Sequence, residues 1–240
     1  VLARRKMGKT ALMERLFNIT FHRNQGVIPF YFEIKEISVW ARDFCKNFFL
    51  TFIYQYIAFK TRKTEYLIKM EISSFESAVE DAEKEGLDYL TEFINSVAQA
   101  HERKEIDGLW LQVRNAPKNV AALKNERIVQ MIDEFQFFNK MIYWDEEKTR
   151  MAHDFAGGYL STAESKVAPL LVSGSWVGWL MNLLNMMLPA RFKYYYLEDM
   201  PGNEAVEMIY NHSRYFDVPV TEETAYLIAQ LSEGSPFYIN

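Results

Sequence analysis

The chain holds one cysteine, Cys45, among its 240 residues. No internal disulfide and no cysteine-based zinc centre can form from a single thiol, and a reducing, cytoplasmic setting is the expectation. The four histidines, His22, His101, His153 and His212, lack metal-ligand spacing. Long apolar runs are missing too. The two most apolar stretches, 48–59 and 176–188, fall short of a bilayer, and Gly178, Asn182 and Asn185 interrupt the second, so no membrane span is expected. There is no excess of positive charge either. Lys+Arg 27 against Asp+Glu 32 leaves a formal net charge of −5, which argues against a chain built to coat nucleic acid or anionic lipid. The opening Val1-Leu2-Ala3-Arg4-Arg5-Lys6 lacks both the apolar stretch of a secretory signal and an initiating Met, and a piece of a longer protein is the expectation. What is present is ordinary globular composition, 49% hydrophobic and 25% charged, which excludes a disordered or collagen-like chain.

The first motif is Ala3-Arg4-Arg5-Lys6-Met7-Gly8-Lys9-Thr10. A phosphate-binding loop asks for Gly, four free positions, Gly, Lys and then Ser or Thr. Every fixed position matches except the first, where Ala3 stands for Gly. Gly8 permits a tight turn that aims successive N–H groups inward at phosphate oxygens. Lys9 would set its ammonium against the β- and γ-phosphates, and the Thr10 hydroxyl would ligate Mg²⁺. A helix follows, with Leu12, Leu16 and Phe17 expected inward and its N-terminal dipole facing the anion. The plainer alternative is a basic surface turn before an ordinary helix.

A second signal lies at Arg127-Ile128-Val129-Gln130-Met131-Ile132-Asp133-Glu134. An apolar run ending in two acids suits a buried parallel strand whose C-terminal end opens on a site. In phosphate-loop enzymes the first acid, here Asp133, orients Mg²⁺, and the second, here Glu134, polarises the attacking water. Alternation along the strand is expected to point the two acids different ways. A further apolar strand over 167–172 ends in Ser173-Gly174-Ser175, where a small hydroxyl can sit between the acids and a γ-phosphate. The alternative there is a glycine-containing turn into the helix that starts near Trp176.

Taken in order, Arg4-Arg5-x-x-Gly8-Lys9-Thr10, Ile132-Asp133-Glu134-Phe135-Gln136, Val172-Ser173-Gly174-Ser175 and Gly234-Ser235-Pro236-Phe237-Tyr238 resemble the prokaryotic, archaeal-type ATPases of the AAA+/STAND group, signal-transduction ATPases with numerous domains. The resemblance implies ATP with Mg²⁺ and a three-layer α/β sandwich around a mainly parallel sheet in the order 5-1-4-3-2. It implies a helical lid after the sheet and a switching rather than metabolic output. It makes residues 3–10 nucleotide-binding, Ser173 and Ser175 sensors, and Arg191 and Pro236 further site positions. The strand that should precede the loop is reduced to Val1-Leu2, and its loss is expected to open a gap in the sheet.

The remaining elements fit that plan: a strand over 26–34, a helix over 42–59 with one apolar stripe, and a fifth strand over 193–197. A charged helical insertion is expected over 61–125, with Pro117 in its exit loop. Ser161-Thr162-Ala163-Glu164 has the spacing of a capping box and predicts a short helix. Residues 1–200 form the expected core, and 201–240 the start of a lid, with helices over 203–212 and 221–231. Partners beyond ATP would be a protein or a second copy. Two rivals keep the fold, a nucleotide-binding or interaction scaffold without hydrolysis and a DNA-associated motor supported by Arg4, Arg5, Lys6 and the cluster at 60–63. Gly174-Ser175-Trp176-Val177-Gly178 does not have the flanking glycines of a hydrolase elbow.

Overall fold

Residues 1–69, 73–103, 105–189 and 191–239 are described by the computed structural model. Helix α1 (Lys9–Arg23) leads into strand β1 (Val27–Glu33), the two-residue strand β2 (Val39–Trp40) and the long helix α2 (Ala41–Thr61). Helices α3 (Glu65–Lys69), α4 (Phe75–Lys84), α5 (Tyr89–Arg103) and α6 (Ile106–Lys124) fill the expected insertion. Then come β3 (Arg127–Asp133), a 3₁₀ turn over Phe135–Asn139, β4 (Ile142–Tyr143), α7 (Phe155–Leu160), β5 (Leu170–Val172) and α8 (Val177–Met187). Helices α9 (Gly202–Phe216), α10 (Glu222–Leu231) and α11 (Pro236–Ile239) close the chain. The class is α/β, with a small, mainly parallel sheet and many helices.

β3 is the central strand of three, parallel to β1 on one side and to β5 on the other, and β2 pairs with β4 separately. The expected gap is bridged. Leu2, 1% exposed, makes parallel bridges to both Gly174 and Tyr196. Its N–H donates to the Tyr195 carbonyl at 2.8 Å, and its own carbonyl accepts from Leu197 N–H at 2.9 Å. Val1 N donates to the Val172 carbonyl at 2.6 Å. Two residues therefore splint the sheet beyond β5. The fifth strand over 193–197 is not a regular strand in the structure: it is extended chain that pairs only around Leu2.

α1 buries Met13, Phe17 and Phe21, a four-residue spacing that leaves Leu12 outside the core and corrects the expected face. α2 also departs from its single stripe: every residue from Phe48 to Phe59 is buried. The reason is that α2 lies against β1 on one side while α4, α5 and α6 cover the other, and a helix enclosed all round is apolar all round. The insertion is therefore part of the main core. Trp110 on α6 stacks on Phe155 at 4.6 Å and 9° and touches Phe44, Phe48, Phe138 and Tyr159. Each such aromatic pair is worth roughly 0.5–1.5 kcal/mol beyond its buried area.

Pro117 lies inside α6, not in an exit loop. It has no N–H for the Val113 carbonyl, but Val113, Ala116, Val120 and Ala121 are buried around it, and that packing outweighs the local defect. The capping-box helix is absent as well. Ser161 Oγ donates to the Gly158 carbonyl and Thr162 Oγ1 to the Tyr159 carbonyl, at 2.6 and 2.7 Å, so these hydroxyls finish α7 instead of starting a helix. The lid helices fall where expected. Thr221 Oγ1 caps α10 by accepting from Thr224 N–H. Ala205, Val206, Ile209, Ala225 and Ala229 form a second, small core between α9 and α10.

Candidate functional site

The loop before α1 is built on two left-handed residues, Lys6 at φ 69° and Gly8 at φ 78°. Gly8 adopts this conformation freely, and its carbonyl accepts the first helical bond from Leu12 N–H at 2.9 Å. Ala3 and Met7 are buried under the loop. Lys9 is 4% exposed; its Nζ donates to the Arg4 carbonyl at 3.1 Å and stands 4.0 Å from Glu134 Oε1. Burial pushes the Lys9 ammonium below its usual 10.5, while Glu134 and Asp133 pull it back up. The glycine-lysine-threonine turn and the acid pair, more than a hundred residues apart in sequence, thus meet in space.

The acids do not alternate along a strand. β3 ends at Asp133, and Glu134 takes the left-handed conformation, φ 53° and ψ 46°, at the head of the 3₁₀ turn. Asn24, Arg62, Asn125 and Asp217 adopt positive φ at helix C-termini, but Lys6 and Glu134 have no such excuse. A non-glycine residue there costs roughly 1–2 kcal/mol. The turn swings the Glu134 carboxylate towards Lys9 and leaves Asp133 behind it, fully buried. Asp133 Oδ1 accepts from Ser173 Oγ and, at 2.8 Å, from Glu134 N–H, and Tyr31 OH faces Oδ2 at 3.5 Å. Burial and the Asp133 carboxylate push the Tyr31 phenol well above its ordinary value, so it stays a donor.

Ser175 Oγ donates to Glu134 Oε2 at 2.9 Å. Gln136 Nε2 donates to the same carboxylate and, at 3.0 Å, to Ser175 Oγ. Each serine after β5 thus serves one of the two acids at the end of β3. Gln136, Tyr31 and the lid residues Met208 and Phe237 belong to this neighbourhood, yet sequence reasoning assigned them no role. A glutamine two residues past an acid pair was the one local signal available for Gln136.

A cleft of about 680 Å³ opens in front of the loop, lined by Gly8, Lys9, Thr10, Glu134, Pro236 and Phe237 among others. Lys6 Nζ lies 3.6 Å above the Phe237 ring on α11, and Arg4 pairs with Asp199, just before α9, at 3.5 Å. Arg5 and Lys6 line the cleft, and Arg5 pairs with Glu36 at 3.1 Å. Arg191 is not brought here: it pairs with Glu164 at 2.8 Å and lines a separate cavity beside Val1 and Leu2. The cations that suggested DNA are committed to protein partners. Lys60 pairs with Glu126, Lys63 with Glu85, and Arg62 donates to the Phe21 carbonyl.

Among the described residues no group of three His, Cys, Asp or Glu converges as a metal cage, and no helix is long and apolar enough to cross a membrane. Mg²⁺ would find hard oxygen donors in the Thr10 hydroxyl and the Glu134 carboxylate at the cleft wall; Asp133, fully buried and bonded to Ser173 Oγ and Glu134 N–H, does not line the cleft. No protein-family model matches the chain, and neither does any curated protein or solved structure.

Proposed function

We propose that the chain is a Mg²⁺-dependent ATP-binding and ATP-hydrolysing module that acts as a conformational switch. The observation that carries this reading is the approach of Lys9 Nζ to Glu134 Oε1, 4.0 Å, at the mouth of one cleft. The loop N–H groups around Gly8 and the Lys9 ammonium hold phosphate oxygens, and the dipole of α1 favours the same charge. Thr10 and, through water, Asp133 hold Mg²⁺, which when bound neutralises phosphate charge. Glu134 orients the attacking water and takes its proton. Ser173 and Ser175, hydrogen-bonded to Asp133 and Glu134, register movement of the acids and pass it along β5. Lys6 carries the loop's state to the lid through Phe237, and Arg4 carries it to the segment leading into the lid through Asp199. The neighbours of Leu2, Gly174 on one side and Tyr196 on the other, favour the 5-1-4-3-2 order.

One observation favours binding without hydrolysis: Glu134 Oε2 is already occupied by Ser175 and Gln136. Fluorescent ATP-analogue binding and phosphate release separate the readings. Lys9→Ala removes a charge-assisted contact worth about 1.5–3 kcal/mol and should weaken binding roughly 10- to 150-fold. Glu134→Gln should keep binding and slow release about 100-fold or more if Glu134 is the base. Nucleotide binding with no phosphate release from the parent chain selects the scaffold reading, release unchanged by Glu134→Gln removes Glu134 as the base, and binding unchanged by Lys9→Ala removes the assignment altogether.

A further inference from the structure

We propose that the end of the β1 edge beyond Tyr31, at Glu33, docks an extended, basic peptide segment of a partner protein. Parallel pairing with β3 turns the backbone polar groups of Pro29, Tyr31 and Glu33 outward. At Tyr31 the edge is already satisfied by a side chain. Gln55 on α2, 4% exposed, accepts from Tyr31 N–H at 2.8 Å and donates to the Tyr31 carbonyl at 2.9 Å. Its amide stands where one peptide unit of a neighbouring strand would stand. Pro29 has no N–H to offer and blocks the upstream edge. Downstream, Glu33 faces a cavity of about 550 Å³ between α1 and α2.

That cavity has the features of a strand-addition groove. Ile34 and Phe44 give it a buried apolar floor, and Ile37, 68% exposed, stands at its rim. Thr51 lines it while only 7% exposed, and its hydroxyl has no hydrogen-bond partner among the described residues. Thr20 and Thr61, by contrast, return their hydroxyls to the carbonyl four residues earlier. Glu14, Glu33 and Asp43 surround the opening; Lys35, the one cation among its described lining residues, pairs with Glu33 at 2.8 Å. The charge fixes the occupant's chemistry. It brings lysine or arginine to the rim, a main chain that pairs with Glu33, a small apolar side chain over Phe44 and an acceptor for Thr51. Two copies joined edge to edge would oppose the same carboxylates. Glu33, Ile34 and Lys35 also line the phosphate-loop cleft, yet docking does not require that cleft to bind nucleotide.

Fluorescence anisotropy with the whole chain tests this, using three labelled probes: a short alternating Lys/Val peptide, its Glu/Val counterpart, and the Lys/Val peptide N-methylated at alternate residues. The Lys/Val peptide should bind saturably and the Glu/Val peptide should not. N-methylation, which removes strand hydrogen bonds but no charge, should weaken binding about tenfold. Glu14→Lys with Asp43→Lys should weaken it roughly tenfold or more, while Glu222→Lys with Glu223→Lys, the same charge change on α10, should leave it intact. Equal affinity for the N-methylated peptide overturns strand addition without relying on any variant. Equal loss in both charge reversals reduces the effect to bulk attraction and overturns the site. Sedimentation showing a dimer broken by Glu14→Lys with Asp43→Lys would make a second copy the occupant instead.

Discussion

Ser173 and Ser175 flank Gly174 at the end of β5, and each donates to one acid of the pair at the end of β3. Truncating them should nevertheless have unequal effects. Ser173 and Asp133 are both 0% exposed, so removing Ser173 Oγ leaves Asp133 with Glu134 N–H at 2.8 Å and a distant Tyr31 OH at 3.5 Å. A hydrogen bond to a buried charge is worth about 1.5–3 kcal/mol. In a chain of this size each kcal/mol moves Tm by about 2–4 °C, so Ser173→Ala should lower Tm by roughly 3–12 °C. Ser175 meets a part-exposed carboxylate that also keeps Gln136, and water can replace the lost hydroxyl. Ser175→Ala should therefore cost no more than about 1 kcal/mol. Urea unfolding followed by circular dichroism measures both, and a cycle with Asp133→Asn should recover a coupling above about 1 kcal/mol for Ser173. Equal costs for the two serines, or a Ser173→Ala within about 0.5 kcal/mol of the parent, would refute the burial-based reasoning.

Tyr159 OH donates to Gln130 Oε1 at 2.7 Å with both side chains fully buried, so Tyr159→Phe should lose about 1–3 kcal/mol in the same unfolding assay. A Cβ on Gly174 would stand 2.5 Å from Gln136 Oε1 and 2.9 Å from Leu180 Cδ2. Gly174→Ala should cost roughly 1–3 kcal/mol and, by displacing Gln136 from Glu134, change phosphate release more than nucleotide affinity; unchanged stability would mean the site relaxes freely. Burial, with Arg42 and Lys46 close by, holds the His101 imidazole below its ordinary 6.5, and Asp43 only partly opposes this. The unfolded chain therefore takes up a proton first as pH falls, and stability should drop on acidification from 6.5 down through the lowered native value. His101→Gln should flatten that slope in unfolding measured between about pH 5 and about pH 7.5, and an unchanged slope would place the linkage elsewhere.

Where one period or one motif dominates, the sequence spoke clearly. The apolar run 128–132 ended by acids became β3, the spacing of α2 became a helix, and Thr221 became a cap. The misses share a cause: distant partners overrule local preference. Pro117 stays helical because four core side chains surround it, and Ser161 and Thr162 spend their hydroxyls on the turn behind them. Glu134 is left-handed at a point where Lys9 and Ser175, both distant in sequence, and Gln136 converge on its carboxylate. The Gln55–Tyr31 clamp spans 24 residues and has no local signature at all. β2 and β4, two residues each, are too short to carry any period.

The ring stack around Trp110 gives the molecule a built-in optical gauge. The indole is 4% exposed and touches Phe138, four residues beyond Glu134, so any swing of the acid turn reaches its surroundings directly. With Trp40, Trp144, Trp176 and Trp179 replaced by phenylalanine, its blue-shifted emission would follow the turn in real time without a dye.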